Sequence, residues 1–129
     1  MKTSQFIVGI SVIDNKLFIL REKDTGFWYC PMIDATDSRE EIRLIHYIRR
    51  RIGTDLKIMS RLGDIEITEG KNLKRFSLFD IRLLGGINLN VEGVDLWNYV
   101  NRFELDKLDL DLDLKNYILP FCIEKRVLI

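Results

Sequence analysis

The sequence is poor in the residues that build disulfide frameworks, zinc sites and membrane anchors. Its 129 residues include two cysteines, two prolines and one histidine. Cys30 and Cys122 are far apart and form no Cys-x-x-Cys pair, which argues against a disulfide framework or zinc site and favours a reducing, cytoplasmic setting. No apolar run approaches the roughly 20 residues that a membrane-spanning helix needs. The N-terminal MKTSQFIVGISVI reads as a first strand without a signal-peptide cleavage site, so no membrane partner is expected.

The sequence also lacks an excess of charge of either sign. Its 20 basic residues balance 20 acidic ones, which argues against a dedicated nucleic-acid-binding protein, although a local basic patch is compatible with this balance. With 47% hydrophobic residues and no linker or repeat, the chain is predicted to form one domain over 1–129. Nothing in the sequence indicates an oligomeric state.

Apolar and β-branched runs predict strands along much of the chain. In order, these strands are expected at 6–13, 17–21, 27–31, 56–68, 73–84 and 87–91. Asp14-Asn15 marks a hairpin turn after the first strand, and 69–72 marks another turn. Within 73–84, Phe76 and Leu78 alternate with polar residues that include Ser77, as in a half-exposed strand.

Two segments carry helical signals. In the first, Ser38 and Glu41 fit a capping box, with Asp37 beside them, and Gly53 is a natural helix stop. Between these signals, isoleucines at helical spacing predict an apolar stripe that is flanked by Leu44 and lies opposite the basic residues. The stripe consists of Ile42, Ile45, Ile48 and Ile52. A closing helix is expected at 113–124, with an aspartate near its start. Strands, a helix, more strands and a second helix predict an α+β fold with a mixed sheet.

Several motifs occur in a familiar order. Gly-Phe-Trp-Tyr-Cys-Pro at 26–31 precedes a capped helix that ends in glycine, EGVDLW follows at 92–97, and a helix with YILPF closes the chain. This arrangement resembles the Nudix (MutT-like) hydrolases, pyrophosphatases that act on nucleoside diphosphates linked to another group. The resemblance covers nearly the whole chain. It implies an α/β/α sandwich with a mixed β-sheet and a nucleotide-type ligand.

The signature of that family is degenerate here. Its pattern is Gly, five residues, Glu, seven residues, Arg-Glu, a hydrophobic residue, any residue, Glu-Glu, any residue, Gly and a hydrophobic residue. With its last Gly on Gly53, the aligned residues are Ser38 for the first Glu, His46-Tyr47 for Arg-Glu, Ile48 for the hydrophobic position and Arg50-Arg51 for Glu-Glu. Every metal-binding carboxylate of the signature is therefore missing.

The missing carboxylates decide the expected chemistry. In the family they hold Mg²⁺, which activates water and bridges phosphate oxygens. Arginine supplies no oxygen ligand, and a unit positive charge ~5 Å from Mg²⁺ costs about 6 kcal/mol at an effective dielectric constant of about 20. The sequence therefore predicts no metal cofactor and a ligand-binding or interaction module without family-type hydrolysis. The alternative is an atypical hydrolase that cleaves a nucleoside diphosphate derivative, with a rearranged Mg²⁺ site and Glu40, Glu66 or Glu92 as catalytic groups.

The same helix has a basic side. At 100° per residue, Arg39 shares this side with Arg43 and Arg50. The candidate ligand-binding residues are Arg43, His46, Tyr47, Arg50 and Arg51. Such a face suits a nucleotide or another phosphate-bearing ligand, and an RNA backbone is a second possibility. In the alternative interpretation these side chains only keep a surface face solvated and complement the negative end of the helix.

The remaining aromatic and polar residues have structural interpretations. Trp28 and Trp97 are expected in the core, and Cys30 is expected to be a small buried hydrophobe. The aspartates at 109, 111 and 113 lack the glycine and later glutamate of a calcium loop, so they are predicted to form a solvated edge.

Overall fold

The computed structural model describes residues 2–35, 40–88 and 94–129. Its strands, in chain order, are β1 (Lys2–Ile10), β2 (Val12–Ile13), β3 (Lys16–Glu22), β4 (Trp28–Tyr29), β5 (Met32–Asp34), β6 (Asp55–Glu69), β7 (Asn72–Leu84) and β8 (Val94–Val100). Its helices are α1 (Glu40–Arg51), α2 (Arg102–Leu105) and α3 (Leu119–Glu124), the last preceded by a π-helical turn, Leu114–Ile118. None of the described helices is long and apolar enough to cross a membrane.

The chain divides into two compact units. The first consists of Met1–Ile10 and Pro31–Asn90, and the second of Ser11–Cys30 and Val91–Ile129. The division falls at Ser11, where the first predicted strand, 6–13, is broken into β1 and β2. The prediction of a single domain stays a prediction.

The first unit is built on a mixed sheet with the strand order β5-β1-β7-β6. β1 and β7 run parallel, with Lys2 opposite Asn72, while β5 and β6 pair antiparallel to their neighbours. β6 is one long strand with two register shifts, and it covers the whole of the strand predicted at 56–68. The predicted turn at 69–72 is confirmed as a tight turn between Glu69 and Asn72. The mixed sheet and the helices confirm the predicted α+β class.

The middle of β7 does not follow the predicted alternation. Ser77 is fully buried between Phe76 and Leu78, which are also fully buried. β7 pairs in parallel with β1, and parallel strands are usually covered on both faces. Ser77 is compatible with burial because its Oγ receives hydrogen bonds from Gln5 and Arg61, at 2.9 and 3.2 Å.

The buried face of α1 differs from the predicted isoleucine stripe. Leu44, Ile48 and Ile52 are fully buried, whereas Ile42 is 47% exposed. The buried residues are four apart, so they lie within 80° of one another on the helix, and Ile42 points 160° away from Leu44 at 100° per residue. The prediction for Ile42 was therefore wrong. Leu44, expected only to flank the stripe, belongs to its centre.

Two glycines fix the position of α1. A Cβ on Gly9 of β1 would lie 2.8 Å from Cδ1 of Ile81 and 3.6 Å from Cδ1 of Leu44, so the bare glycine makes room for the helix. Gly53 adopts φ +70° after the helix, and its N–H donates to the carbonyl oxygen of Ile48 at 3.1 Å. The predicted helix stop is confirmed. The proposed caps, Asp37 and Ser38, lie outside the described residues.

The second unit holds the other sheet, in which β2, β4 and β8 all pair with β3. Asp14 and Asn15 have φ values of 52° and 58° and connect β2 to β3, which confirms the predicted hairpin turn. The closing helix is also confirmed: an Asp111 carboxylate oxygen accepts from the backbone N–H groups of Asp113 and Leu114 at its start.

Two elements differ from the sequence-based expectation. α2 was not predicted. Residues 87–88 of the expected strand 87–91 are not in a strand, and 89–91 lie outside the described residues.

Candidate anion-binding site

One side of α1 and one residue of β5 line an open surface depression of about 320 Å³ in the first unit. The lining residues are Ile33, Arg43, His46, Tyr47, Arg50 and Arg51. The five candidates from the sequence are thus all brought together. The structural reason is the helical period, which places Arg43, His46 and Arg50 roughly opposite to the buried face of α1. Tyr47 and Arg51 lie at the border between the two sides. Arg39 of the predicted basic side lies outside the described residues.

The depression is strongly positive and open to water. Arg43, His46, Arg50 and Arg51 are exposed, while Tyr47 and Ile33 are half-buried. No carboxylate from the described residues belongs to the lining. Over residues 2–35, 40–88 and 94–129, neither Arg50 nor Arg51 forms an ion pair or a side-chain hydrogen bond. Guanidinium groups in this situation favour a phosphate or carboxylate, which they bind through two parallel N–H donors.

Arg49 has a different role from the two arginines beside it. Its Nε lies 2.9 Å from Oδ1 of Asp55, and the same carboxylate oxygen accepts from the backbone N–H of Leu56 at 2.8 Å. The hydrogen bond from Arg49, and then that from Leu56, lower the pKa of the Asp55 carboxyl group. Arg49 therefore joins the end of α1 to the start of β6 and does not line the depression.

The lining residues do not fit a magnesium ion. Mg²⁺ takes oxygen ligands in octahedral geometry, usually carboxylates and water. The depression offers three guanidinium groups, an imidazole, a phenol and an aliphatic side chain. Among the residues whose positions are described, no three His, Cys, Asp or Glu side chains cluster in a way that could hold a metal. This set of donors therefore does not support family-type metal chemistry.

The alternative catalytic glutamates are not brought together by the described structure. Glu66 lies on β6, where its Oε1 is 2.9 Å from Nη2 of Arg75 on β7. This pair is cross-strand, because Glu66 is directly opposite Arg75 in the sheet. The backbone of Glu40 begins α1, but its side chain is outside the described part of the chain, and so is the whole of Glu92.

A second depression, of about 480 Å³, lies in the second unit. Its apolar lining consists of Phe27 and five leucines, at 105, 108, 110, 112 and 119. Its charged lining consists of Asp106, Asp109 and Lys115, so it has no excess of positive charge. An anionic ligand is therefore matched by the α1 depression and not by this one.

The two tryptophans occupy different environments. Trp28 is half-buried beneath the guanidinium group of Arg21, whose Cζ lies 6.0 Å from the ring centroid. Trp97 is 42% exposed on β8, so its predicted core position was wrong. Its ring packs on the sheet surface against Tyr99, at a centroid distance of 6.4 Å, and against the buried Phe18, at 6.0 Å.

Both cysteines are buried and unpaired. Burial raises the pKa of both thiols, that of Cys122 to about 12. The prediction of Cys30 as a small buried hydrophobe is confirmed.

Ile33 is the lining residue that the sequence did not reveal. It belongs to β5, a strand of three residues that pairs with β1 through Phe6, Ile7 and Val8. No element was predicted for this segment, because two apolar residues between Pro31 and Asp34 are too few for a periodic signal. The strand exists because β1 offers it a free edge.

Solved structures of several proteins share this fold. The MutT protein from Methanosarcina mazei Go1 is 12% identical, with a TM-score of 0.74 over 97% of this chain and 96% of that one. An ADP-ribose pyrophosphatase from Streptococcus suis is 19% identical, with a TM-score of 0.67 over 95% of this chain and 91% of that one. The Nudix domain of Shewanella oneidensis NrtR, complexed with ADP ribose, is 11% identical, with a TM-score of 0.66 over 98% of this chain and 88% of that one.

These similarities show that the chain has the Nudix fold, which confirms the resemblance seen in its sequence. No protein-family profile and no curated protein sequence matches it. At these low identities the likeness extends to the fold and not to the activity.

Proposed function

We propose that this Nudix-fold protein binds a nucleotide or another phosphate-bearing ligand in the α1 depression and performs no family-type metal-dependent hydrolysis there. The observation that carries the proposal is the described lining itself, which combines Arg43, Arg50 and Arg51 with His46 and Tyr47 and includes no carboxylate. The cytoplasmic setting expected from the sequence is part of the same proposal.

The lining supplies the contacts that such a ligand needs. Arg50 and Arg51 can each donate two parallel hydrogen bonds to a phosphate, and Arg43 adds a third positive charge to the lining. Tyr47 and Ile33 are half-buried and add an aromatic and an apolar surface beside the charges, suited to the less polar part of a nucleotide. The proposal agrees with the Nudix domain of NrtR, a structural neighbour that was solved with ADP ribose.

The competing function is an atypical hydrolase with a rearranged Mg²⁺ site. It needs carboxylates near the ligand, and the one candidate whose side chain is described, Glu66, is paired with Arg75 on the β6–β7 hairpin.

A second competing function is RNA binding along the basic side of α1. That function predicts a steep fall of affinity with salt and little dependence on the ligand's base or sugar.

A thermal-shift panel tests the proposal. Each compound of the panel is added once in EDTA and once in Mg²⁺. The compounds are ADP-ribose, UDP-sugars, nucleoside mono-, di- and triphosphates and a single-stranded RNA. We expect a nucleotide to stabilise the protein in EDTA. We also expect no cleavage of that nucleotide when Mg²⁺ or Mn²⁺ is present. Turnover of any member of the panel that is abolished by a substitution in 46–51 contradicts the proposal and supports the hydrolase.

A further inference from the structure

Resting on the proposed anion site, we infer that the α1 depression selects the metal-free form of a diphosphate, and that Mg²⁺ competes with the protein for this ligand. The preferred ligand is a pyrophosphate group, free or within a nucleotide, whose oxygens are not chelated by a divalent cation. The proposed function leaves open the ionic form of the ligand and the number of its phosphates.

Charge favours the metal-free diphosphate. Arg43, Arg50 and Arg51 bring three permanent positive charges to one depression whose described lining holds no carboxylate. A chelated Mg²⁺ cancels two negative charges of the diphosphate and places a divalent cation beside those guanidinium groups. The metal-free diphosphate keeps its full negative charge, so its attraction to the lining is stronger.

Mg²⁺ and the arginines compete for the same phosphate oxygens. Mg²⁺ binds a diphosphate through the non-bridging oxygens, and arginine recognises phosphate through those oxygens as well. Of the described side chains that line the depression, none can complete the coordination of a phosphate-bound Mg²⁺ with an anionic oxygen. Chelation therefore removes acceptors from the arginines and gives the metal no anionic partner in this lining.

The basic lining extends along α1. Arg43 and Arg50 are seven residues apart on α1, which separates their Cα atoms by about 10 Å along the helix axis. Arg51 follows at 100° around the axis from Arg50, so the two approach a ligand from different directions. Two arginine side chains must converge to meet one phosphate group, whereas a diphosphate with its substituent can extend along the row and meet each where it stands.

The closing experiment uses inorganic phosphate and inorganic pyrophosphate as probes for isothermal titration calorimetry on the full chain. Each probe is titrated in EDTA and in excess MgCl₂, with KCl added to match the ionic strength so that screening is equal. We expect pyrophosphate to bind more tightly than phosphate in EDTA. We also expect its Kd to rise about tenfold or more with Mg²⁺, a change of about 1.4 kcal/mol.

The outcomes separate the two claims. Pyrophosphate that binds equally well or better with Mg²⁺ overturns the inference and leaves the anion site standing. Phosphate that binds as tightly as pyrophosphate overturns the preference for a diphosphate. An absence of binding to either probe and to the nucleotide panel, under both conditions, removes the proposed function itself.

A charge-reversed variant assigns the selection to the arginines. R50E/R51E places carboxylates at the two aligned signature positions, so the ratio of Kd with Mg²⁺ to Kd in EDTA should fall from its wild-type value towards or below one. R49A is the matched control, since Arg49 is on the same helix but outside the lining, and its ratio should stay at the wild-type value. If R50E/R51E binds pyrophosphate neither in EDTA nor in Mg²⁺, the two Kd values are measured for R51A instead. A ratio in R51A that equals the wild-type ratio contradicts the inference.

Discussion

Nε of Arg49 lies 2.9 Å from Oδ1 of Asp55, and this ion pair separates Arg49 from the two arginines that follow it. Three consecutive arginines end α1, yet one of them holds the helix to β6 while Arg50 and Arg51 line the depression. Arg49 therefore serves as a control for Arg50 and Arg51 in binding experiments, because the three residues have the same side chain but different surroundings.

Ligand binding should distinguish these arginines. R50A is expected to raise the Kd for the nucleotide or pyrophosphate that stabilises the protein by about tenfold, since a hydrogen bond to a charged group contributes roughly 1.5–3 kcal/mol before solvent exposure reduces it. R49A should leave the Kd within about twofold. Titration calorimetry of the two variants checks this, and equal losses in both would show that only the overall charge of the helix matters.

Stability should depend on pH through Asp55. Its carboxyl pKa is lowered in the folded protein by the hydrogen bonds from Arg49 and Leu56. The stabilisation is therefore fully present above the ordinary aspartate pKa, about 3.9, and is lost as pH falls through the lowered value. R49A should be slightly less stable than the wild type at neutral pH, and the difference should shrink on acidification. Urea unfolding between neutral and acidic pH measures it, and a difference that grows in acid would refute the assignment.

The buried face of α1 can be tested by two isoleucine truncations. Ile48 is fully buried and Ile42 is 47% exposed. I48A is expected to lower the free energy of unfolding by about 2–5 kcal/mol, because it leaves a cavity. I42A should change it by about 0.5 kcal/mol or less. Chemical denaturation of both variants checks the pair, and similar losses would restore the isoleucine stripe that the sequence suggested.

The two glycines with left-handed backbones should respond differently to alanine. Gly53 and Gly70 have φ values of +70° and +60°. A Cβ on Gly53 would collide with the backbone carbonyl oxygen of Asn88, whereas a Cβ on Gly70 meets nothing within 4 Å. G70A should cost about 1 kcal/mol from backbone strain alone, and G53A should cost clearly more. Denaturation curves that rank G70A as the more harmful change would contradict the close approach at Gly53.

Local chemistry made some parts of this fold predictable. The turns at Asp14-Asn15 and after Glu69, the helix stop at Gly53 and the Asp111 cap depend on neighbours in sequence, so they could be predicted from it. The side of α1 that carries the basic residues follows from the helical period alone.

Other parts depend on partners distant in the chain. β5 and Ile33 exist through pairing with β1. Ser77 is buried with hydrogen bonds from Gln5 and Arg61, which lie on other strands. Trp97 was assigned to the core by residue type, although β8 leaves it 42% exposed. Arg49 could not be distinguished from its neighbours because Asp55 reaches it only after the chain reverses at Gly53.

Ligand binding without family-type hydrolysis can be tested by a single titration series on ADP-ribose. ADP-ribose is titrated into the protein in EDTA, and Mg²⁺ is then added to the same mixture while cleavage of the pyrophosphate bond is followed by chromatography. We predict saturable binding in EDTA that is weakened by R50A, and an intact ligand after Mg²⁺ is added. Cleavage that requires Mg²⁺ and is lost in R50A would show instead that the protein is a hydrolase.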